Sequence, residues 1–173
     1  MKIDNKKARI ILAVIIAVSL VISTVYMFAK QGFHEDELLT YNLANSSKQL
    51  NVDGGWNSPE DFNEYLAVSP DDRFDYAQVY ENQIIDASHP PLYYALVHTV
   101  CSFFPSVFSK WLAYSINVLA MAGILIMLYK IGRKITGNNL YALIGVGAYA
   151  LSIACITTTI YLRMYATLTF WVL

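Results

Sequence analysis

The sequence predicts an all-α integral membrane protein with one large polar loop, for two reasons. Apolar residues make up 56% of the 173 residues and charged residues only 14%, whereas a typical soluble domain carries about 25% charge. Twelve of the 13 acidic residues lie within positions 35–86, and long uncharged runs flank that segment. The formal net charge of −1 offers no basic surface to nucleic acid, so no nucleic-acid partner is expected.

The first uncharged run, residues 10–29, is predicted to be a transmembrane helix, because about 20 apolar residues are enough to cross a bilayer. A signal peptide is the alternative, but its apolar core usually has only about 7–15 residues. Residues 1–9 contain four basic side chains. The positive-inside rule therefore places them in the cytoplasm and the following loop, residues 30–110, outside.

The outer loop contains signals for short helices. Glu35-Asp36-Glu37 is predicted to start a helix that ends at about Leu43. Ser58-Pro59-Glu60-Asp61 and Ser69-Pro70-Asp71-Asp72 each combine a Ser N-cap, Pro at the first helical position and acids in the first turn. The aromatic residues that follow recur at near-helical spacing, which predicts amphipathic juxtamembrane helices on the bilayer surface or on each other. Asp53-Gly54-Gly55 is predicted to form a turn before them.

The uncharged run 90–109 is predicted to lie along the outer surface of the membrane. If it crossed, only Lys110 would separate it from the next span, and the basic residues within 130–134 would lie outside. Pro105 also argues against a straight span.

With that run on the surface, residues 111–129 form the second transmembrane helix and run inward. Residues 130–139 form a cytoplasmic turn, and residues 140–162 return outward as the third transmembrane helix. Residues 163–173 form an outer turn and the start of a truncated fourth span, since the ten residues after Arg163 cannot cross a bilayer. The chain is therefore expected to be the N-terminal part of a longer membrane protein.

Three polar clusters are predicted to reach the outer face. They are Glu35-Asp36-Glu37, the segment from Asp86 to His89-Pro90-Pro91-Leu92-Tyr93-Tyr94, and Arg163-Met164-Tyr165. Each has a simpler explanation. The acids stabilise the helix dipole, the arginine extends to the interface, and His89 is a loop residue. Tyr93, Tyr94 and Trp111 are predicted to belong to an interfacial aromatic belt rather than to a sugar-binding platform.

The order and spacing of these clusters resemble the polyprenyl-phosphate-dependent GT-C glycosyltransferases, the bacterial relatives of protein O-mannosyltransferases and aminoarabinose transferases. The resemblance covers essentially the whole chain, including the inner turn Gly132-Arg133-Lys134. It implies a GT-C-like helical bundle in the plasma membrane. Such a protein transfers a sugar from a polyprenyl-phosphate donor to a lipid, glycan or protein acceptor at the outer face. Two positions depart from the family pattern: Tyr161 replaces a frequent Glu, and Asp86 stands one residue further from the His-Pro-Pro motif.

The resemblance also implies roles for individual residues. Asp36 corresponds to the proposed catalytic base. Glu37 is the second catalytic candidate, as a neighbouring acid or a metal ligand, unless it is simply solvated. The substrate-binding candidates are Asp86, His89, Arg163 and Tyr165. The chemistry suits these residue types, because an inverting transfer needs a carboxylate to take the acceptor proton and a cation near the departing phosphate. The sequence leaves open whether a divalent cation takes part.

The alternative is a non-enzymatic membrane protein, either an assembly or binding subunit or a transporter fragment. A transporter would be expected to have polar breaks or ionisable groups within its spans. The first two predicted spans contain no charge. Gly145, Gly147 and Thr157 to Thr159 in the third are typical of ordinary helix packing.

Overall fold

The computed structural model of the chain describes residues 3–48, 50 and 59–173. Within those ranges the regular secondary structure is entirely helical, which confirms the all-α prediction for them. The described helices are α1 (Asn5–Ala29), α2 (Glu35–Asn45), α3 (Pro59–Leu66), α4 (Tyr76–Asp86), α5 (Leu92–Ser102), α6 (Lys110–Thr136), α7 (Asn139–Ala150), α8 (Ile153–Ile160) and α9 (Tyr165–Val172).

Two of the described helices, α1 and α6, are long and apolar enough to cross a membrane. They contain 25 and 27 residues, or about 37 and 40 Å at 1.5 Å per residue, against a hydrocarbon core of about 30 Å. They include the predicted spans 10–29 and 111–129. Their length and composition support membrane association of the chain.

The predicted third span, 140–162, is not one straight helix. It is divided into α7 and α8, whose axes are bent by 57°. The side chain of Ser152 accepts a hydrogen bond from the Cys155 N–H and caps the first turn of α8. A serine within an apolar run can either continue a helix or cap the start of a new one. Here it caps the start of a new helix.

The chain divides into two compact units. We call Met1–Gln31 with Asn117–Leu173 the membrane-helix unit, and Gly32–Ile116 the loop unit. In the membrane-helix unit, α1 packs against α7 and α8. A cluster of small and branched apolar side chains forms one core of this unit; its buried members are Ala8, Leu12, Leu125, Tyr129, Ala142, Leu143, Val146 and Ala150.

Polar side chains satisfy the carbonyl groups at the ends of α7 and α8. Ser19 Oγ donates to the Ala150 carbonyl at 2.9 Å, and Lys30 Nζ donates to the Ile160 carbonyl at 3.2 Å. Asn117 Nδ2 donates to the Tyr161 carbonyl at 2.7 Å. An unsatisfied carbonyl costs several kcal/mol in hydrocarbon. These bonds therefore lower the free-energy cost of dividing the predicted third span into two helices.

The loop unit is built around α5, which contacts α2 and α4. With 11 residues, or about 16 Å, α5 is too short to span a bilayer. One face of the helix packs on protein, because Tyr93, Tyr94, Val97 and Cys101 are buried, whereas Leu92, Phe103, Phe104 and Val107 of the same uncharged run are exposed. The placement of residues 90–109 along the membrane surface stays a prediction.

Asparagine side chains fasten α3 and α4 to the end of α2. Asn42 Nδ2 donates to the Tyr65 carbonyl at 3.0 Å, and Asn45 Nδ2 donates to the Leu66 carbonyl at 2.7 Å. Asn82 Nδ2, from α4, donates to the carbonyls of Leu43 and Ser46 at 3.0 and 2.8 Å. The last turn of α2 is therefore a polar junction, and the predicted start of this helix at Glu35 is confirmed.

The second short helix predicted in the loop does not begin at Ser69. The prediction was wrong because Ser69-Pro70-Asp71-Asp72 closes a turn, with the Asp72 N–H donating to the Ser69 carbonyl at 3.1 Å. Asp75 is the N-cap of the following helix α4. The predicted turn Asp53-Gly54-Gly55 and the N-cap Ser58 lie outside the described residues.

Replacing Ser19 by alanine is expected to destabilise the membrane-helix unit. Ser19→Ala removes the donor to the Ala150 carbonyl, and an interhelical hydrogen bond in a membrane protein is worth about 1 kcal/mol. Thr157→Ala is the control, because the Thr157 hydroxyl is bonded to Ile153 and Ala154 within its own helix. The measurement is unfolding in mixed micelles. Equal stability of the two variants would contradict the role of Ser19.

Candidate functional site

The N-terminus of α2 is closed by a reciprocal cap. The backbone N–H of His34 donates to Glu37 Oε2 at 2.8 Å, and His34 Nδ1 accepts from the Asp36 N–H at 3.2 Å. Glu37 is fully buried. A buried carboxylate that satisfies a helix end is typical of a structural acid. Of the two predicted catalytic acids, Glu37 therefore lies in the cap.

Asp36 lies next to this cap but faces the solvent. Its side chain is 40% exposed, and Oδ2 lies 3.6 Å from His34 Nδ1. The N-terminal end of a helix favours negative charge through the aligned N–H groups. The carboxylate of Asp36 is thus accessible from water at a position where its ionised form is stabilised.

The first and second predicted clusters both belong to the loop unit, in which α2 and α5 pack against each other.

The second cluster contains a carboxylate–imidazole pair that the sequence did not predict as a pair. Asp86 Oδ2 lies 2.7 Å from His89 Nδ1, and the two side chains are 21% and 24% exposed. Asp86 Oδ2 also accepts from the Ser88 N–H at 3.2 Å. A carboxylate bonded to one ring nitrogen fixes the orientation of the imidazole.

The tyrosines that follow this pair are not part of an interfacial belt. Tyr93 is 2% exposed and Tyr94 is fully buried. The Tyr94 ring lies 6.0 Å from the His89 ring and 6.2 Å from the Tyr93 ring. The belt prediction was wrong for these two residues, because a tyrosine near a predicted membrane surface can equally pack within a protein core.

Tyr41 is a structural residue that the sequence analysis missed. Its hydroxyl donates to the Ser109 carbonyl at 2.7 Å and accepts from the Ala113 N–H at 3.0 Å. Burial raises the pKa of Tyr41 well above its usual value, so the phenol stays neutral and can make both bonds. Tyr41 links α2 to the beginning of α6. It lies within two helical turns of Asp36 and Glu37. No local sequence pattern predicts the contact of Tyr41 with Ser109 and Ala113.

The third cluster lies in the membrane-helix unit, in the turn between α8 and α9. The Arg163 N–H donates to the Tyr161 carbonyl at 2.8 Å, and the rings of Tyr161 and Tyr165 stack at 5.9 Å with an interplanar angle of 7°. Arg163 is only 5% exposed, whereas Tyr165 is 44% exposed. An arginine that only extends its side chain to the membrane interface would have an exposed guanidinium. The burial of Arg163 therefore argues against that role.

Metal binding was left open by the sequence. Within residues 3–48, 50 and 59–173, no three His, Cys, Asp or Glu side chains are grouped so that they could hold a metal ion.

Comparisons with protein-family models, with curated proteins and with solved structures found no match. The function of the chain is therefore inferred from the arrangement of its own side chains and from the resemblance described above.

The two site acids are expected to differ in their effect on stability. Glu37→Ala removes the acceptor of the cap and should lower the free energy of unfolding by about 2 kcal/mol, the upper end for helix caps. Asp36→Asn should cost about 0.5 kcal/mol, the size of a charge–dipole interaction at an exposed helix end. Denaturant unfolding followed by circular dichroism measures both. A larger loss for Asp36→Asn would show that Asp36 is the structural acid.

Proposed function

We propose that the chain belongs to a membrane glycosyltransferase that moves a sugar from a polyprenyl-phosphate donor to an acceptor hydroxyl on a lipid, glycan or protein. The observation that carries the proposal is that different side chains cap the start of α2 and face the solvent beside it. Glu37 and His34 close the helix end, while the Asp36 carboxylate is 40% exposed beside them. A solvent-facing carboxylate that the helix cap does not require is suited to take a proton from an acceptor.

In the proposed reaction, the acceptor oxygen attacks the anomeric carbon as Asp36 takes the hydroxyl proton. The bond between that carbon and the phosphate oxygen breaks, and polyprenyl phosphate leaves with the bonding electrons. The configuration at the anomeric carbon is inverted by the single displacement. Arg163 is assigned to the departing phosphate, because a guanidinium binds phosphate oxygens through two parallel hydrogen bonds.

The remaining candidates are assigned to substrate binding. The Asp86–His89 pair is suited to orient a sugar or acceptor hydroxyl through the imidazole nitrogen that faces away from Asp86. Tyr165 is partly exposed next to the Tyr161 ring, and an exposed tyrosine can pack against a sugar face and hydrogen-bond to it. Glu37 is reassigned from catalysis to support of the helix end.

A transporter is the second candidate, favoured by one observation. The bend of 57° between α7 and α8 is of the kind that forms binding sites in transporters. In this chain, however, the Ala150 carbonyl at the end of α7 accepts a hydrogen bond from Ser19. A carbonyl used in this way is less suited to coordinate a transported ion, so we prefer the enzyme.

The proposed orientation places residues 1–9 and 130–139 in the cytoplasm of a cell with the loop unit outside its plasma membrane. Four basic residues lie within positions 1–9, and Lys130, Arg133 and Lys134 lie in the last two turns of α6. The acidic segment 35–86 is separated from them in the sequence. Both basic groups satisfy the positive-inside rule in this orientation alone.

Cysteine labelling tests the orientation. We expect Glu81→Cys to react with an impermeant maleimide in intact cells, and Lys134→Cys to react only after the membrane is permeabilised. Both positions are exposed, and the native Cys101 and Cys155 are buried. Labelling of both positions in intact cells would contradict the orientation.

Removal of the Asp36 carboxylate tests the reaction. Asp36→Asn should lower the turnover of polyprenyl-phosphate sugars about 100-fold or more, the size of a general-base contribution. Donor binding should change little, because the asparagine keeps the shape of the side chain. The assay is release of polyprenyl phosphate by membranes that contain the protein, with a panel of sugar donors.

Glu35→Gln is the matched control, since Glu35 is an exposed acid in the same helical turn. It should retain turnover close to that of the unaltered protein. If Asp36→Asn keeps activity within a few-fold, or if Glu35→Gln loses as much, then Asp36 is not the base.

A further inference from the structure

The loop unit carries an exposed apolar patch that the proposed reaction does not use. We define the aromatic patch as Phe74, Phe103, Phe104 and Val107, whose residues are 39%, 63%, 53% and 45% exposed. The rings of Phe74 and Phe103 meet edge to face, with centroids 5.3 Å apart. Exposed large apolar side chains grouped in this way mark a surface that binds a membrane or another molecule.

Hydrogen bonds hold the backbone beneath the patch. The Phe74 N–H donates to Ser102 Oγ at 3.0 Å, and Arg73 Nε donates to the Ser102 carbonyl at 2.8 Å. The Ser106 N–H donates to the Val68 carbonyl at 2.8 Å. The 67–75 turn and the end of α5 are thus fastened together, so the apolar side chains are presented on a supported surface.

The position of the patch in the chain indicates what covers it. Val107 lies three residues before Lys110, the first residue of α6, and three residues reach at most about 10 Å. Because α6 is long and apolar enough to cross a membrane, the patch lies close to the point where the chain enters the bilayer. Lys110 Nζ lies 5.7 Å from the Trp111 ring centre, and tryptophan is enriched at the membrane–water interface.

Charge near the patch is mixed. The Arg73 guanidinium lies 5.6 Å from the Phe74 ring centre, where it can meet lipid phosphates. Asp71 and Asp72 lie on the same turn and oppose binding to strongly anionic surfaces. Insertion of apolar side chains, rather than net charge, should therefore dominate the interaction.

We propose that the aromatic patch inserts into the phospholipid bilayer that α6 enters and anchors the loop unit to the membrane surface. This inference does not depend on the proposed glycosyl transfer. It also narrows the expectation that residues 90–109 lie on the membrane surface, since one face of α5 is buried and the exposed apolar residues lie mainly after that helix.

A spin label at Phe104 tests the proposal. Phe104→Cys and, as the water-exposed control, Glu81→Cys are labelled in the full chain and reconstituted in phosphatidylcholine vesicles. The native cysteines should not react at near-neutral pH, because both are buried and burial raises the pKa of Cys101 to about 11. Accessibility to oxygen and to a water-soluble nickel complex then gives the depth of each label.

We expect the label at position 104 to lie about 5–10 Å below the lipid phosphates, as interfacial apolar groups do, and the label at 81 to lie in water. If Phe104→Cys impairs insertion of the chain, Val107→Cys replaces it with the same expectation. Access of the nickel complex to position 104 equal to that at 81 would overturn the proposal. Protection of position 104 from both reagents would also overturn it, because it would show that protein covers the patch.

Discussion

The fold depends on side chains of one helix that hydrogen-bond to the unpaired backbone groups at the ends of other helices. Each carbonyl or N–H left over at a break must find a partner, because an unsatisfied backbone group is costly in a protein core and more so in lipid. In the loop unit, Asn42, Asn45 and Asn82 provide those partners around the last turn of α2. In the membrane-helix unit, Ser19 and Asn117 do so around α8. Short helices can then pack where one long helix would otherwise be needed.

The candidate site follows from the same requirement. The start of α2 needs an acceptor for its first N–H groups, and Glu37 meets that need from a buried position. Its neighbour Asp36 is thereby left to face the solvent in the field of the helix end. At the end of α4, one carboxylate makes both kinds of contact, because Asp86 accepts from the Ser88 N–H and also pairs with His89.

The sequence predicts much of this architecture, but only where one physical effect acts alone. Separation of charged from apolar residues was enough to predict α1, α6 and the acidic loop. It could not show that the apolar face of Tyr93 and Tyr94 packs on protein, because protein and lipid both accept apolar groups. Local capping rules correctly predicted a helix start at Glu35, yet failed at Ser69, where a turn competes with a helix for the same residues. Long-range pairs such as that of Tyr41 with Ser109 leave no local pattern.

The hydrogen bonds of Tyr41 make the thickness of the bilayer relevant to the position of α2. The phenol holds the Ser109 carbonyl and the Ala113 N–H at the very beginning of α6. The uncharged stretch of that helix, residues 111–129, is about 28 Å long and matches a hydrocarbon core of about 30 Å. In a thinner bilayer the helix would tilt to reduce the mismatch. A change of tilt moves the first turn of the helix, and Tyr41 transmits the movement to α2. Lipids of different chain length would then adjust the position of Asp36 without contacting it.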